Sequence, residues 1–69
     1  MSRVTMFSSA IRTVDYDEAR QHLVITLANK RTYRYLDVPP EVYQQFLAAD
    51  SKGRYYNDHI RDVYIYERL

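Results

Sequence analysis

His22-Leu23-Val24-Ile25-Thr26-Leu27-Ala28-Asn29-Lys30-Arg31-Thr32-Tyr33-Arg34-Tyr35-Leu36 holds two alternating runs around a polar interruption. In the first run Leu23, Ile25 and Leu27 point one way and His22, Val24 and Thr26 the other, as a pleated strand requires. Thr32 to Leu36 alternates again, so the stretch is a hairpin. A two-residue loop at Asn29-Lys30 would set Arg34 opposite Ile25, on the apolar face. A three-residue loop, Ala28 to Lys30, pairs Ile25 with Tyr33 and Leu23 with Tyr35. That register collects Leu23, Ile25, Leu27, Tyr33 and Tyr35 on one face and His22, Val24, Thr26, Thr32 and Arg34 on the other. A slip of one residue sends every side chain to the wrong face, so the second register is expected, with Lys30 or Asn29 left-handed.

Upstream, Ser9 to Tyr16 carries the strand-favouring Ile11, Thr13, Val14 and Tyr16, with a slip in alternation near Thr13–Val14. The polar Asp17-Glu18-Ala19-Arg20 reads as a turn into the hairpin. Downstream, Val38-Pro39-Pro40-Glu41 opens a helix, since proline is tolerated in a first turn and Glu41 suits the helix dipole. Val42, Tyr43, Phe46 and Leu47 form its apolar stripe. Asp50 breaks it, and Ser51 is the expected N-cap of a second helix, on which Tyr56, Ile60 and Val63 repeat at helical spacing. Gly53 inside its first turn either weakens the helix or marks a close backbone approach. Tyr64-Ile65-Tyr66 either ends the helix or forms a short edge strand. The expected class is α+β: a three-stranded antiparallel sheet followed by two short helices on one face, over a single domain of residues 1–69 with a loose N-terminus at 1–7.

Composition bounds the function. Sixty-nine residues hold one small core, and a chain this short buries only about 60% of its unfolded surface. There is no cysteine, hence no disulfide and no thiolate chemistry, and two histidines, His22 and His59, are too few for a histidine-rich metal site. A net charge of +1 argues against a strongly electrostatic DNA packager. No run approaches a membrane span and the first residues lack a secretory pattern, so a cytoplasmic location is expected. Eight tyrosines with one glycine indicate an ordered chain, and eight arginines against two lysines favour forked bonds to phosphate or carboxylate.

The order and spacing of several short motifs resemble the KTSC domain, a small module named for its place at the C-terminus of some lysyl-tRNA synthetases and found alone in short bacterial or phage proteins. The carriers are Ser8-Ser9 and Ile11, Tyr16-Asp17, Leu23 and Ile25, and Tyr33-Arg34-Tyr35, similar to the family's Y-x-Y. Val38-Pro39 with Val42-Tyr43 follows, then Ala49-Asp50-Ser51-Lys52-Gly53, Tyr55-Tyr56-Asn57 and Ile60. Ala10 stands where asparagine is common, Asp15 where glycine is common, and Lys30 in place of a loop glycine. The resemblance implies a structural role for Tyr16, Tyr33, Tyr35, Pro39, Tyr43, Gly53, Tyr56 and Asn57, and attachment to a tRNA enzyme suggests RNA binding.

Two readings of Tyr33-Arg34-Tyr35 stand side by side. In one, bases stack on tyrosine while Arg34 meets phosphate. In the other, both phenols are core residues, and the register favours this, because Arg34 then faces away from them. Lys30-Arg31 at the hairpin tip, and Lys52 and Arg54 beside a helix start, are further candidate phosphate contacts, diluted by Asp17, Glu18, Asp50 and Asp58. Asn57 is expected to tie the second helix to the sheet. Ser8, Ser9, Ser51 and His59 offer hydroxyls and a base, but no spacing joins them, so no catalytic residue is assigned. Asp15 and Asp17 are assigned no metal, and no cofactor is expected. The expected function is a non-catalytic binding module for RNA or tRNA, through Arg31, Arg34, Lys30, Lys52, Arg54, Tyr33 and Tyr35. The alternative is a protein-interaction or self-association module using the Tyr/Arg surface and strand edges, forming at most a weak homo-oligomer.

Overall fold

The computed structural model describes residues 2–5 and 8–69. Five strands form one antiparallel sheet in sequence order: β1 (Ser2–Thr5), β2 (Ile11–Asp17), β3 (His22–Leu27), β4 (Thr32–Tyr35) and β5 (Tyr66–Arg68). Two helices, α1 (Pro40–Ala48) and α2 (Lys52–His59), lie between β4 and β5 in the chain. The expected three-stranded sheet is therefore corrected to five strands. Both additions are edges. Ser2–Thr5, expected as a loose lead, pairs with β2 from Ser2↔Tyr16 to Thr5↔Thr13, while Met1, Met6 and Phe7 lie outside the described residues. Tyr66–Arg68 pairs with β4, placing Tyr66 opposite Tyr35 and Glu67 opposite Arg34.

The hairpin has the apolar-sorting register: Leu23 pairs with Tyr35 and Ile25 with Tyr33. Its loop closes through Lys30 N–H to the Leu27 carbonyl and Leu27 N–H to the Arg31 carbonyl, both at 2.9 Å. Lys30 takes the left-handed conformation, φ 71°, that a lysine adopts at a cost of roughly 1 kcal/mol over glycine. The slip in β2 has a cause too. The pairing shifts between Ile11 and Thr13, a bulge that lets Ile11, Val14 and Tyr16 all face the core despite their uneven spacing.

The helices cover the face carrying Leu23, Ile25 and Tyr35, all essentially inaccessible to water. Val38 fastens the closed end of this layer. Its N–H donates to the Gln21 carbonyl at 2.9 Å, and its own carbonyl accepts the Tyr16 hydroxyl at 2.6 Å. Tyr43 of α1 stacks on Tyr16 with ring centroids 4.5 Å apart, and Phe46 completes the seal. Ser51 caps α2 by accepting the Arg54 N–H at 3.3 Å. A Cβ at Gly53 would stand 3.2 Å from Ala10 Cβ, so glycine lets α2 sit close on the start of β2.

One helical expectation fails. Tyr56 and Ile60 are buried, but Val63 is 62% exposed. The helix has ended before it: Arg61 N–H turns back to the Tyr56 carbonyl at 2.9 Å, and the chain then leads into β5. Among the described residues no helix is long and apolar enough to cross a membrane.

Candidate functional site

The helices do not cover their whole face of the sheet. Eight residues make α2 too short to reach across the hairpin end, where a groove of about 500 Å³ remains. Leu27, Tyr33, Tyr35 and Tyr66 form its floor, Gly53, Tyr56 and Asn57 its helical wall, and Asn29 and Arg31 of the hairpin loop part of the rim. Arg61 and Asp62, just past the end of α2, form a further part of the rim. Such a volume lies within the roughly 300–1,000 Å³ of small-molecule and nucleotide sites.

Four tyrosines line the groove as a connected set. The Tyr33 ring meets Tyr66 edge-on at 5.4 Å and 85° and lies 6.3 Å from Tyr35. Tyr35 in turn meets Tyr56 at 5.9 Å and 78°, and their hydroxyls share a hydrogen bond. Burial, then that bond, pushes the Tyr35 phenol well above its ordinary range. Burial raises Tyr56 as well. Neither phenol therefore offers a phenolate base near neutral pH, and the pair acts as a rigid back wall. Tyr33 is half-buried and Tyr66 is 53% exposed, so both keep ring surface open to the groove.

The tyrosine motif thus divides. Tyr35 is core, as the register implied. Tyr33 is not sealed with it: one edge packs on the core and the rest borders the groove beside Arg31. Arg34 faces away from the rings, as expected, and the charge beside Tyr33 comes instead from Arg31, which lines the same groove. Arg34 points to the outer face, where it donates to Glu67 at 2.9 Å and borders a separate depression with Asp17, Arg20 and His22. Lys30 is exposed at the hairpin tip. Lys52 and Arg54 are elsewhere: the Lys52 ammonium donates to the Ala49 carbonyl, closing the end of α1, and Arg54 pairs with Asp58 at 3.7 Å. Of the seven predicted contacts, Arg31, Tyr33 and Tyr35 meet in the groove.

The residues expected to be structural fall in different surroundings. Tyr16, Tyr35, Tyr43 and Tyr56 are buried, Pro39 is the N-cap of α1, and Gly53 makes its close approach. Asn57 is corrected. It does not tie α2 to the sheet; it is exposed, lines the groove and accepts from Arg61 Nη1 at 3.4 Å. Sequence reasoning missed Asn29, Arg61, Asp62 and Tyr66 as groove residues. Tyr66 carried a signal, the strand-forming run Tyr64-Ile65-Tyr66, but no pattern in the sequence singles out Arg61 and Asp62. Neither Arg31 nor Arg61 has an ion-pair partner among the described residues. Ser8 and Ser51 accept local backbone N–H groups and His59 lies against the Tyr55 ring at 4.6 Å, so hydroxyls and imidazole are not brought together. Among the described residues no group of three or more histidines and carboxylates is placed to hold a metal ion.

Comparison with known proteins agrees with this architecture. The KTSC domain model matches residues 7–64. An uncharacterised protein of Stutzerimonas stutzeri (strain A1501) is 46% identical over 57 residues, covering 83% of this chain and 80% of that one. A lysine–tRNA ligase of Nostoc punctiforme is 33% identical over 61 residues, 88% of this chain but 11% of the ligase. The crystal structure of a KTSC domain protein from Yersinia pestis superposes with a TM-score of 0.95 at 32% identity, covering 99% of this chain and 96% of that one. Sequence motifs, sheet topology and these relatives agree, and the chain belongs to the KTSC domain family.

Proposed function

We propose that the groove binds single-stranded RNA and that the domain works as a non-catalytic binding module. One observation carries this reading: the open tyrosine surface of Tyr33 and Tyr66 shares its groove with Arg31 and Arg61, neither of which has a carboxylate partner among the described residues. Aromatic faces accept unstacked bases, and the two arginines accept the flanking phosphates. The relative in which a domain like this forms part of a lysine–tRNA ligase supports an RNA partner. Titration of a labelled tRNA and a short single-stranded RNA at ~50 mM and ~200 mM salt tests it. Expected is binding that weakens with salt, with Arg31→Ala and Arg61→Ala each lowering the salt slope by about 1. Absence of binding at ~50 mM salt, where phosphate contacts are strongest, ends the reading.

A second reading has its own observation. Val63, Ile65 and Leu69 are 62%, 76% and 57% exposed around the edge strand β5, an arrangement that invites strand addition by a protein partner or a second copy. Light scattering over a concentration series checks the self-association arm; a monomer throughout removes it.

A further inference from the structure

Asp62 is out of place in a groove that serves phosphate alone. Its carboxylate lines the same rim as Arg61 and repels a sugar-phosphate backbone. A negative charge helps in one part of a bound strand, at the donor edge of a base. We propose that the groove selects a guanine base, with the Asp62 carboxylate accepting its N1–H and N2–H groups while the ring rests on Tyr33 and Tyr66. This inference rests on the single-strand reading above and names what that site would read.

The other polar groups fit the same base. Guanine presents two acceptors, O6 and N7, on its remaining edge, and arginine is the usual partner for that pair. Arg31 lines the same groove from the hairpin loop. Adenine instead needs an amide that both donates and accepts. Asn57 is poorly disposed to that role, because its carbonyl oxygen, though it keeps a second lone pair, is already turned to Arg61 at 3.4 Å, which leaves the amide N–H groups as its better contact for a ligand. Donors from Asn57 and arginine, with an acceptor from Asp62, match guanine's O6/N7 and N1–H/N2–H pattern. Facing the carboxylate, adenine sets its N1 acceptor beside a single N6 amino group, and uracil flanks a single N3–H with the acceptors O2 and O4, so each gives Asp62 one hydrogen bond where guanine gives two. Cytosine offers the carboxylate only a single amino group, and its smaller ring covers less of the tyrosine floor.

Anisotropy titration of the full chain uses the RNA pentamers UUXUU, with G, inosine, A, C or U at the centre. The G pentamer is expected to bind roughly ten-fold tighter than the A, C and U pentamers, and inosine, which lacks the N2 amino group, to lose most of that gain. Asp62→Asn is expected to bring the G pentamer down to the level of the U pentamer and leave the U pentamer unchanged or tighter. Asp62 is exposed, so the variant keeps its fold, and its melting curve checks this. Equal affinities that all fall with salt overturn the guanine reading and leave RNA binding standing. Preference for another base, or a G preference that survives Asp62→Asn, also overturns it. Guanosine monophosphate alone separates a strand from a free nucleotide. If no pentamer binds but the nucleotide perturbs the amide resonances of Asn57 and Asp62, and does so only with Asp62 intact, the base pocket stands and the strand reading falls. If nothing binds, both fall.

Discussion

The two ends of the helix-covered sheet face use the same residue type for opposite purposes. At the closed end Tyr16 stacks on Tyr43 at 4.5 Å and spends its hydroxyl on the Val38 carbonyl. At the hairpin end Tyr33 meets Tyr66 edge-on, and both rings border a groove that Arg31 and Arg61 also line. The sheet beneath is continuous, so the difference lies in what covers it. α1 spreads Tyr43 and Phe46 over the closed end, whereas α2 stops at His59 and leaves the other end open. A tyrosine on this fold is buried core or open surface according to whether a helix lies over it.

Stability and binding should therefore separate along the sheet. The largest effect is expected at the closed end: Phe46→Ala removes a fully buried ring, costing about 3–5 kcal/mol, comparable to the whole stability of so short a chain. A urea midpoint measures it; a loss under ~1 kcal/mol would mean that the two ends are packed alike. Next is the tyrosine pair between the two ends. Tyr35→Phe leaves the Tyr56 hydroxyl without its buried partner and should cost about 1–3 kcal/mol, while adding Tyr56→Phe should restore part of the loss. The same pair gives a pH limit. Burial raises both phenols above the ordinary value of about 10, so the folded state holds their protons more tightly than the unfolded chain. Stability is then intact below pH ~10 and falls as pH rises beyond it. Circular dichroism against phenolate absorbance should show wild type unfolding as these phenols ionise, and the double variant less so.

At the open end the expected result is binding lost with the fold kept. Tyr33→Leu should weaken RNA binding by about 1–3 kcal/mol and shift the urea midpoint little. A collapse in stability would place Tyr33 with Tyr35 and break the comparison. Lys30→Gly should stabilise by roughly 1 kcal/mol through its left-handed φ, leaving affinity unchanged. The smallest effect belongs to Arg34→Ala. Its exposed pair with Glu67 is worth under ~1 kcal/mol, and RNA affinity should not follow it.

Much of this was legible in the chain itself. The hairpin register followed from Leu23, Ile25, Leu27 and Tyr35, because a one-residue slip would bury Arg34. Ser51 as a cap, Pro40 in a first turn and Gly53 as a close approach are local chemistry, and local chemistry is written in neighbouring residues. The edge strands were not legible in the same way. Ser2-Arg3-Val4-Thr5 and Tyr66-Glu67-Arg68 carry little alternation, since an edge strand is held by backbone bonds to its neighbour more than by a buried stripe.

The sequence by itself determined which residues share a face, because side-chain direction alternates with a fixed period along a strand. Only the tertiary structure decided which part of that face stays open. Arg31 and Tyr33 meet Asn57, Arg61, Asp62 and Tyr66 because α2 ends early and the chain returns to pair with β4. Where a helix stops relative to a distant hairpin is set by packing among residues far apart in the chain, and no local pattern records it.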